Sequence, residues 1–327
     1  MIDLRTRYLG LELRTPVIVA ASGLTRSADA VKECAAADAG AVVLKSIFEE
    51  QIEAELASGE DARLPGRQLP EAYDFIKNHG RDQAVEKYLE TIAEARAVVD
   101  IPVIASIHCV SAGNWTHFAR KAQDAGASAI ELNVFIPPMD ARRTGAEIER
   151  TYFDIAREVH HAVSIPVAMK IGPYFSGLSN FAVNLSKEVD ALVLFNRFFR
   201  LDFDIDRMTL VPASMLSDPS EIEMPLRWIS VLSGRVHGDI AASTGIHDGR
   251  GVVKALLAGA NAVQVCSALY ENGLWYLAKI LAELRAWMES QGYASVDEFR
   301  GKMRQLGSSD PSSYERVQFM KISTGIE

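Results

Sequence analysis

The chain has 327 residues, 48% hydrophobic and 24% charged, with a net charge of −9; this is an ordinary globular balance at a size that suits one elaborated α/β barrel. The acidic excess disfavours phosphate backbones and anionic membranes as partners, and no apolar run approaches the roughly 18 residues of a bilayer span. Residues 1–15 lack the apolar stretch of a secretory signal, and the scattered Cys34, Cys109 and Cys266 argue against a disulfide framework, a zinc site or an iron–sulfur cluster and fit a reducing cytoplasm.

Eight short β-rich runs follow along the chain, at 17–20, 41–45, 103–107, 129–133, 167–171, 191–195, 239–242 and 262–265. They are apolar throughout rather than alternating, as strands covered on both faces are. Helical periodicity lies between them. Val85, Leu89, Ile92 and Ala93 form one stripe; Leu277, Ile280, Leu281, Leu284, Trp287 and Met288 form another, stopped by Gly292. The tetrapeptide Asp38-Ala39-Gly40-Ala41 recurs as Asp124-Ala125-Gly126-Ala127 and as Leu257-Ala258-Gly259-Ala260, a glycine closing a helix before a strand begins. Ile-Pro-Val marks the same transition at Ile101 and Ile165. Eight such units in a row, with no linker to divide them, predict a single (β/α)₈ TIM barrel over residues 1–327.

Two connections are too long to be turns: Ser46 to about Arg81, and Asn196 to about Pro225. Both follow strands and so belong to the C-terminal face of the barrel, where active sites form. Within the second, Leu201–Val211 alternates and predicts a small hairpin over that face.

The strand ends carry chemistry. In order they read Ala20-Ala21-Ser22-Gly23, Lys45-Ser46, His108-Cys109, Glu131-Leu132-Asn133, Lys170, Asn196-Arg197, Ser243-Thr244-Gly245 and Cys266-Ser267. Small residues after the last two strands are the usual phosphate cradle of this fold. Two lysines and two asparagines at one mouth suit a flat ligand with several carbonyl oxygens and ring nitrogens, as a flavin has.

These residues, in this order, resemble the dihydroorotate dehydrogenase family, most closely its soluble homodimeric class. The resemblance is carried by TPVIVAASG (15–23), DAGAVVLKS (38–46), IELN (130–133) and MKIGPYF (169–175). Beyond them come STGI (243–246), LLAGANAVQVCSALY (256–270) and GYASVDEFRGKM (292–303), so that nearly the whole chain is covered. It implies an FMN-dependent oxidoreductase of pyrimidine biosynthesis, passing hydride from dihydroorotate to flavin N5, with a soluble electron acceptor. Ala21, Ser22 and Gly23 would line the flavin, and Lys45 and Ser46 would touch its ring and side chain. Asn133 would stand between flavin and substrate, Lys170 at the pyrimidine edge of the ring, and Asn196 on the substrate side. Ser233-Gly234, Thr244-Gly245 and Cys266-Ser267 would hold the phosphate.

Three places depart from the family pattern, the first being the substrate loop after strand two, which here reads Phe75-Ile76-Lys77-Asn78-His79-Gly80. The proton-accepting cysteine or serine of the loop after strand four is replaced by Ile136, and the substrate-binding asparagine by Pro138. A replacement base could come from His108, or from Asn78-His79 in the first long loop; the alternative for His108 is a packed strand-end side chain. Arg197, Phe198, Phe199 and Arg200 would form either a lid or aromatic packing under the hairpin. Alternatives for the whole are an FMN-binding paralogue with another substrate, or a phosphate-ligand lyase or isomerase without flavin.

Overall fold

The computed structural model describes residues 2–48, 84–109, 115–197, 201–315 and 320. The eight predicted strands form a closed, wholly parallel barrel. We label them β1 (Val17–Val19), β2 (Ala41–Val43), β3 (Val103–Cys109), β4 (Ala129–Val134), β5 (Val167–Ile171), β6 (Ala191–Leu194), β7 (Asp239–Ser243) and β8 (Ala262–Val265). Each pairs with the next, and Val263 of β8 lies against Val17 of β1 to close the ring. This is the (β/α)₈ TIM barrel expected from the apolar runs. Ile47–Phe48 adds a short parallel extension on β3.

The helices return the chain on the outside: α1 (Ala28–Ala36), α2 (Ala84–Val98), α3 (Trp115–Asp124), α4 (Gly145–Ala162), α5 (Leu178–Leu185), α6 (Glu223–Leu232), α7 (Gly249–Ala258) and α8 (Tyr276–Gln291). Side-chain caps fix several starts. Thr144 and Glu147 form a capping box on α4, and Asp248 accepts from the Gly251 amide on α7. The α8 stripe is buried as predicted, with Trp287 half-buried and Gly292 left-handed at its end. In α2 the buried residues are Val85, Ile92 and Ala95, while Ala93 faces solvent.

Of the repeated glycines, Gly126 and Gly259 take the positive φ expected of a helix end. Gly40 does not: Asp38 is the left-handed residue there, and a Cβ on Gly40 would run into the Thr15 carbonyl oxygen. Close approach of two backbones, not φ, requires that glycine.

Two apolar layers result. One lies between strands and helices. The other fills the barrel, where small inward residues (Ala41, Ala129, Ala168, Ala191, Ala241, Ala262) meet Tyr8, Leu9 and Leu13. Those three come from a hairpin, Thr6–Tyr8 paired with Leu11–Leu13, that plugs the N-terminal end; Leu9 N–H donates to Asp239 at 2.8 Å. The mixed polarity of residues 1–15 gave no sign of this plug. With the floor sealed, the C-terminal mouth is where a ligand enters.

Candidate active site

Register decides what meets at the mouth. His108, Asn133 and Lys170 are direct partners on β3, β4 and β5. One residue row lower stand Ser106, Glu131 and Ala168. Because side chains alternate along a strand, both rows share the inward side that Ile104 and Ala129 occupy nearer the floor.

Lys170 is buried. Its ammonium donates to Gln264 Oε1 at 2.9 Å, and Gln264 Nε2 donates to Glu131 Oε2. Asn196 reaches over β5 and donates from Nδ2 to Asn133 Oδ1 at 2.8 Å. His108 packs its ring 5.1 Å from that of Phe48. Ser46 and Ser106 share a hydroxyl–hydroxyl bond of 2.8 Å. Lys45 is solvent-exposed at the end of β2.

The turn after β1 closes the circle. Ala21, Ser22 and Gly23 are half-buried, and Ser22 caps the 3₁₀ turn Gly23–Thr25. The Cys266 thiol is pushed up by burial, against the lowering effects of the neighbouring Ser22 and the Lys170 charge. The ends of β1, β5 and β8 are thus electrostatic neighbours. A Cβ on Gly23 would stand 2.6 Å from Tyr270 Oη, so a larger residue in this turn would have to displace the end of that exposed side chain.

Beside them lies a second polar cluster. Thr244 (φ +81°) and Gly245 (φ +74°) are consecutive left-handed residues, and Thr244 Oγ1 donates to the Phe195 carbonyl at 3.1 Å. Ser217 Oγ donates to Ser267 Oγ at 3.0 Å and sits 3.0 Å from His247 Nε2, while the Ser217 amide donates to Ser267 Oγ at 2.9 Å. His247 Nδ1 faces Glu271 at 3.5 Å. Ser217 and His247 were not foreseen. Fifty residues separate Ser217 from Ser267, and nothing local marks it.

Ser233 and Gly234 are not part of this assembly. Ser233 ends α6 and lies against the Gly259 carbonyl at the end of α7, and Gly234 abuts Leu306 and Arg304. Helix C-termini precede strand starts, so both residues belong to the opposite, N-terminal end of the barrel. A Ser-Gly pair after an apolar helical run reads equally as a phosphate turn and as a helix end, and here it is the helix end.

Ile136 and Pro138 lie in the loop after β4. The Ile136 amide donates to Tyr152 Oη at 3.1 Å while its side chain packs on the core, and Pro138 is exposed. Arg197 is tied to Glu221 at 3.0 Å and to the Ser214 and Met215 carbonyls, which anchors the long loop. Leu201–Asp204 and Thr209–Pro212 form the predicted hairpin. The segment 75–80, with Asn78-His79, and residues 198–200 lie outside the described residues.

The sequence profile of the dihydroorotate dehydrogenase family matches residues 3–288. The chain belongs to that family. It is 26% identical over 308 residues, 92% of this chain and 98% of the relative, to a protein of Thermoplasma volcanium named dihydroorotate dehydrogenase B (NAD(+)), catalytic subunit. A Methanothermobacter thermautotrophicus protein of the same name is 29% identical over 317 residues, covering 91% of this chain and 97% of the relative. A Lactobacillus delbrueckii subsp. bulgaricus protein named dihydroorotate dehydrogenase A (fumarate) is 26% identical over 317 residues, covering 93% and 99%. Dihydroorotate dehydrogenases are flavin-dependent oxidoreductases acting on CH–CH groups, and the donors at this mouth fit a flavin. A buried ammonium suits the carbonyl-rich edge of the ring, amides suit its heteroatoms, and hydroxyls on small residues suit a phosphate. No helix among the described residues is long and apolar enough to cross a membrane.

Proposed function

We propose that this dihydroorotate dehydrogenase family member is an FMN-dependent oxidoreductase that takes hydride from dihydroorotate or a closely related cyclic substrate. The observation that carries the reading is the in-register row His108–Asn133–Lys170, bridged by Asn196, directly above a sealed barrel floor.

FMN, when bound, supplies the two-electron acceptor. Lys170 places a fixed positive charge where reduction adds negative charge. Asn133 and Asn196 hold the substrate between them. Ser22, Gly23, Lys45 and Ser46 line the ring and its side chain. Thr244, Gly245, Cys266 and Ser267, joined by Ser217 and His247, receive the phosphate. With Ile136 in the usual base position, His108 takes the substrate proton, a neutral imidazole nitrogen being an acceptor suited to that step.

A second reading keeps FMN and changes the substrate, favoured specifically by Ile136 and Pro138, which remove both the usual base and a substrate amide. Anaerobic titration of the purified holoprotein with dihydroorotate separates the two. Bleaching of the flavin at a catalytic rate supports dihydroorotate. Flavin that dithionite reduces and dihydroorotate does not supports the second reading. A protein that can be neither isolated nor reconstituted with FMN overturns both and favours a flavin-free phosphate-ligand barrel.

The proposal extends to a cytoplasmic homodimer with a soluble acceptor. Leu201, Phe203, Ile205, Met208 and Leu210 expose the hairpin's apolar side chains, an apolar surface of the kind that subunit contacts cover. Light scattering on the purified chain tests the dimer; a monomer that pairs with a separate subunit would instead match the relatives named catalytic subunits.

A further inference from the structure

We infer that Glu131 and Gln264 are positioning residues that set the redox balance of the bound flavin through Lys170; the inference rests on the FMN reading above. Lysine only donates and a carboxylate only accepts, so the amide between them has one allowed orientation: oxygen to Lys170, nitrogen to Glu131. Glu131 Oε1 lies 4.0 Å from the ammonium. Glu131 sits one inward row beneath Asn133 and Lys170, so the carboxylate meets the ammonium from the floor side, away from the mouth.

Stability does not account for this carboxylate. Glu131 is 1% exposed and Gln264 2% exposed. A buried ion pair recovers its desolvation cost only when its other polar atoms are also satisfied, and an apolar replacement is often at least as stable. Here Glu131 Oε1 and the nearby Tyr8 hydroxyl both lack a hydrogen-bond partner among the described residues. Burial and the Glu131 charge together push the Tyr8 phenol well above its ordinary range.

What Glu131 does is oppose the Lys170 charge. A positive charge at the ring favours the reduced form, and a negative charge at 4.0 Å from it, screened little in the interior, offsets part of that. Gln264 does the reverse. It occupies the ammonium with its own oxygen and keeps Lys170 from collapsing onto Glu131, which would draw the charge down and away from the ring.

The two residues therefore act with opposite signs. The test is the midpoint potential of FMN in the holoprotein, measured by dye-equilibrated anaerobic reduction. Glu131→Gln is expected to favour reduced flavin about tenfold, an upward shift of about 30 mV for a two-electron couple. Gln264→Leu is expected to shift it downward by at least as much, and adding Glu131→Gln to Gln264→Leu to remove the downward shift. Should Glu131→Gln not fold, Glu131→Asp, which draws the charge back from Lys170, is expected to give a smaller upward shift. An unchanged potential in the Glu131 variants overturns the inference, as do shifts of the same sign in both single variants, the pattern of a merely loosened barrel. Wild-type protein that takes up no FMN overturns the functional reading, and the inference with it.

Discussion

Asn196 Nδ2 lies 2.8 Å from Asn133 Oδ1. This single bond spans from the end of β6 to the end of β4, with Lys170 of β5 between. It uses one half of each amide and leaves Asn133 a donor and Asn196 an acceptor to offer a substrate, the complement a cyclic amide requires. Asn196→Ala removes the acceptor and frees Asn133 to rotate. Losing one hydrogen-bond partner in a half-buried site costs about 1–3 kcal/mol, or roughly 5- to 160-fold in kcat/KM. The fall should appear with FMN stoichiometry unchanged; loss of the flavin instead would move Asn196 from substrate to cofactor.

Lys170→Met preserves length and bulk while deleting the charge. The variant is expected to retain FMN through the phosphate cluster and to reduce it about 10²–10³-fold more slowly, the range for losing one preorganised charge-stabilising donor. Stopped-flow reduction with saturating substrate measures it. A rate within twofold of wild type would remove Lys170 from the chemistry.

His108→Gln keeps a polar side chain beside Phe48 and Asn133 and abolishes proton acceptance near neutrality. With His108 as base, wild-type flavin reduction rises with pH as the imidazole loses its proton. The variant should be slower and lack that limb. An unaltered limb would direct attention to the segment containing His79.

Much of this barrel was legible because burial on both faces makes its strands apolar from end to end. All eight runs became strands, and the strand ends met where βα units require. What stayed hidden depended on contacts distant in sequence. Glu131 and Gln264 lay in plain view within Ile130-Glu131-Leu132-Asn133 and Ala262-Val263-Gln264-Val265. A charged or amide residue inside an otherwise apolar strand, two positions before a mouth residue, is the signal that finds them. Ser217 had no such signal, since it reaches the mouth only because the 3₁₀ turn Pro219–Ile222 docks against Gly245. Ser233-Gly234 misled because helix ends and anion-binding turns use the same residues.

That docking makes Gly245 a sensitive position. Its φ is +74°, and an added Cβ would collide with the backbone of Ile222. Gly245→Ala must shift either the turn or the strand end, at a cost of order 1–3 kcal/mol for the backbone conformation alone. The expected result is a lower melting temperature together with substoichiometric FMN. Normal FMN content at normal stability would show that the two segments are not rigidly apposed.

Cys34 gives a stability prediction with a defined sign. It is 0% exposed, and burial pushes its thiol up to about 12. In the unfolded chain a thiol titrates near 8.5–9. Between about pH 9 and 12 the native state therefore holds the proton that the unfolded state has lost, and stability falls as pH rises through that window, by up to about 1.4 kcal/mol per pH unit. Below about pH 9 the contribution is constant. The buried phenols of Tyr8, Tyr88 and Tyr152 are raised as well, but an unfolded tyrosine titrates only near 10, so the first part of the window belongs to the thiols. Cys34→Ala should be less stable at pH 7 by roughly 1–2 kcal/mol, from lost packing, yet decline less steeply between pH 9 and 10. Urea midpoints at closely spaced pH values measure both, and parallel declines in variant and wild type would mean that the Cys34 thiol is not held protonated by the fold.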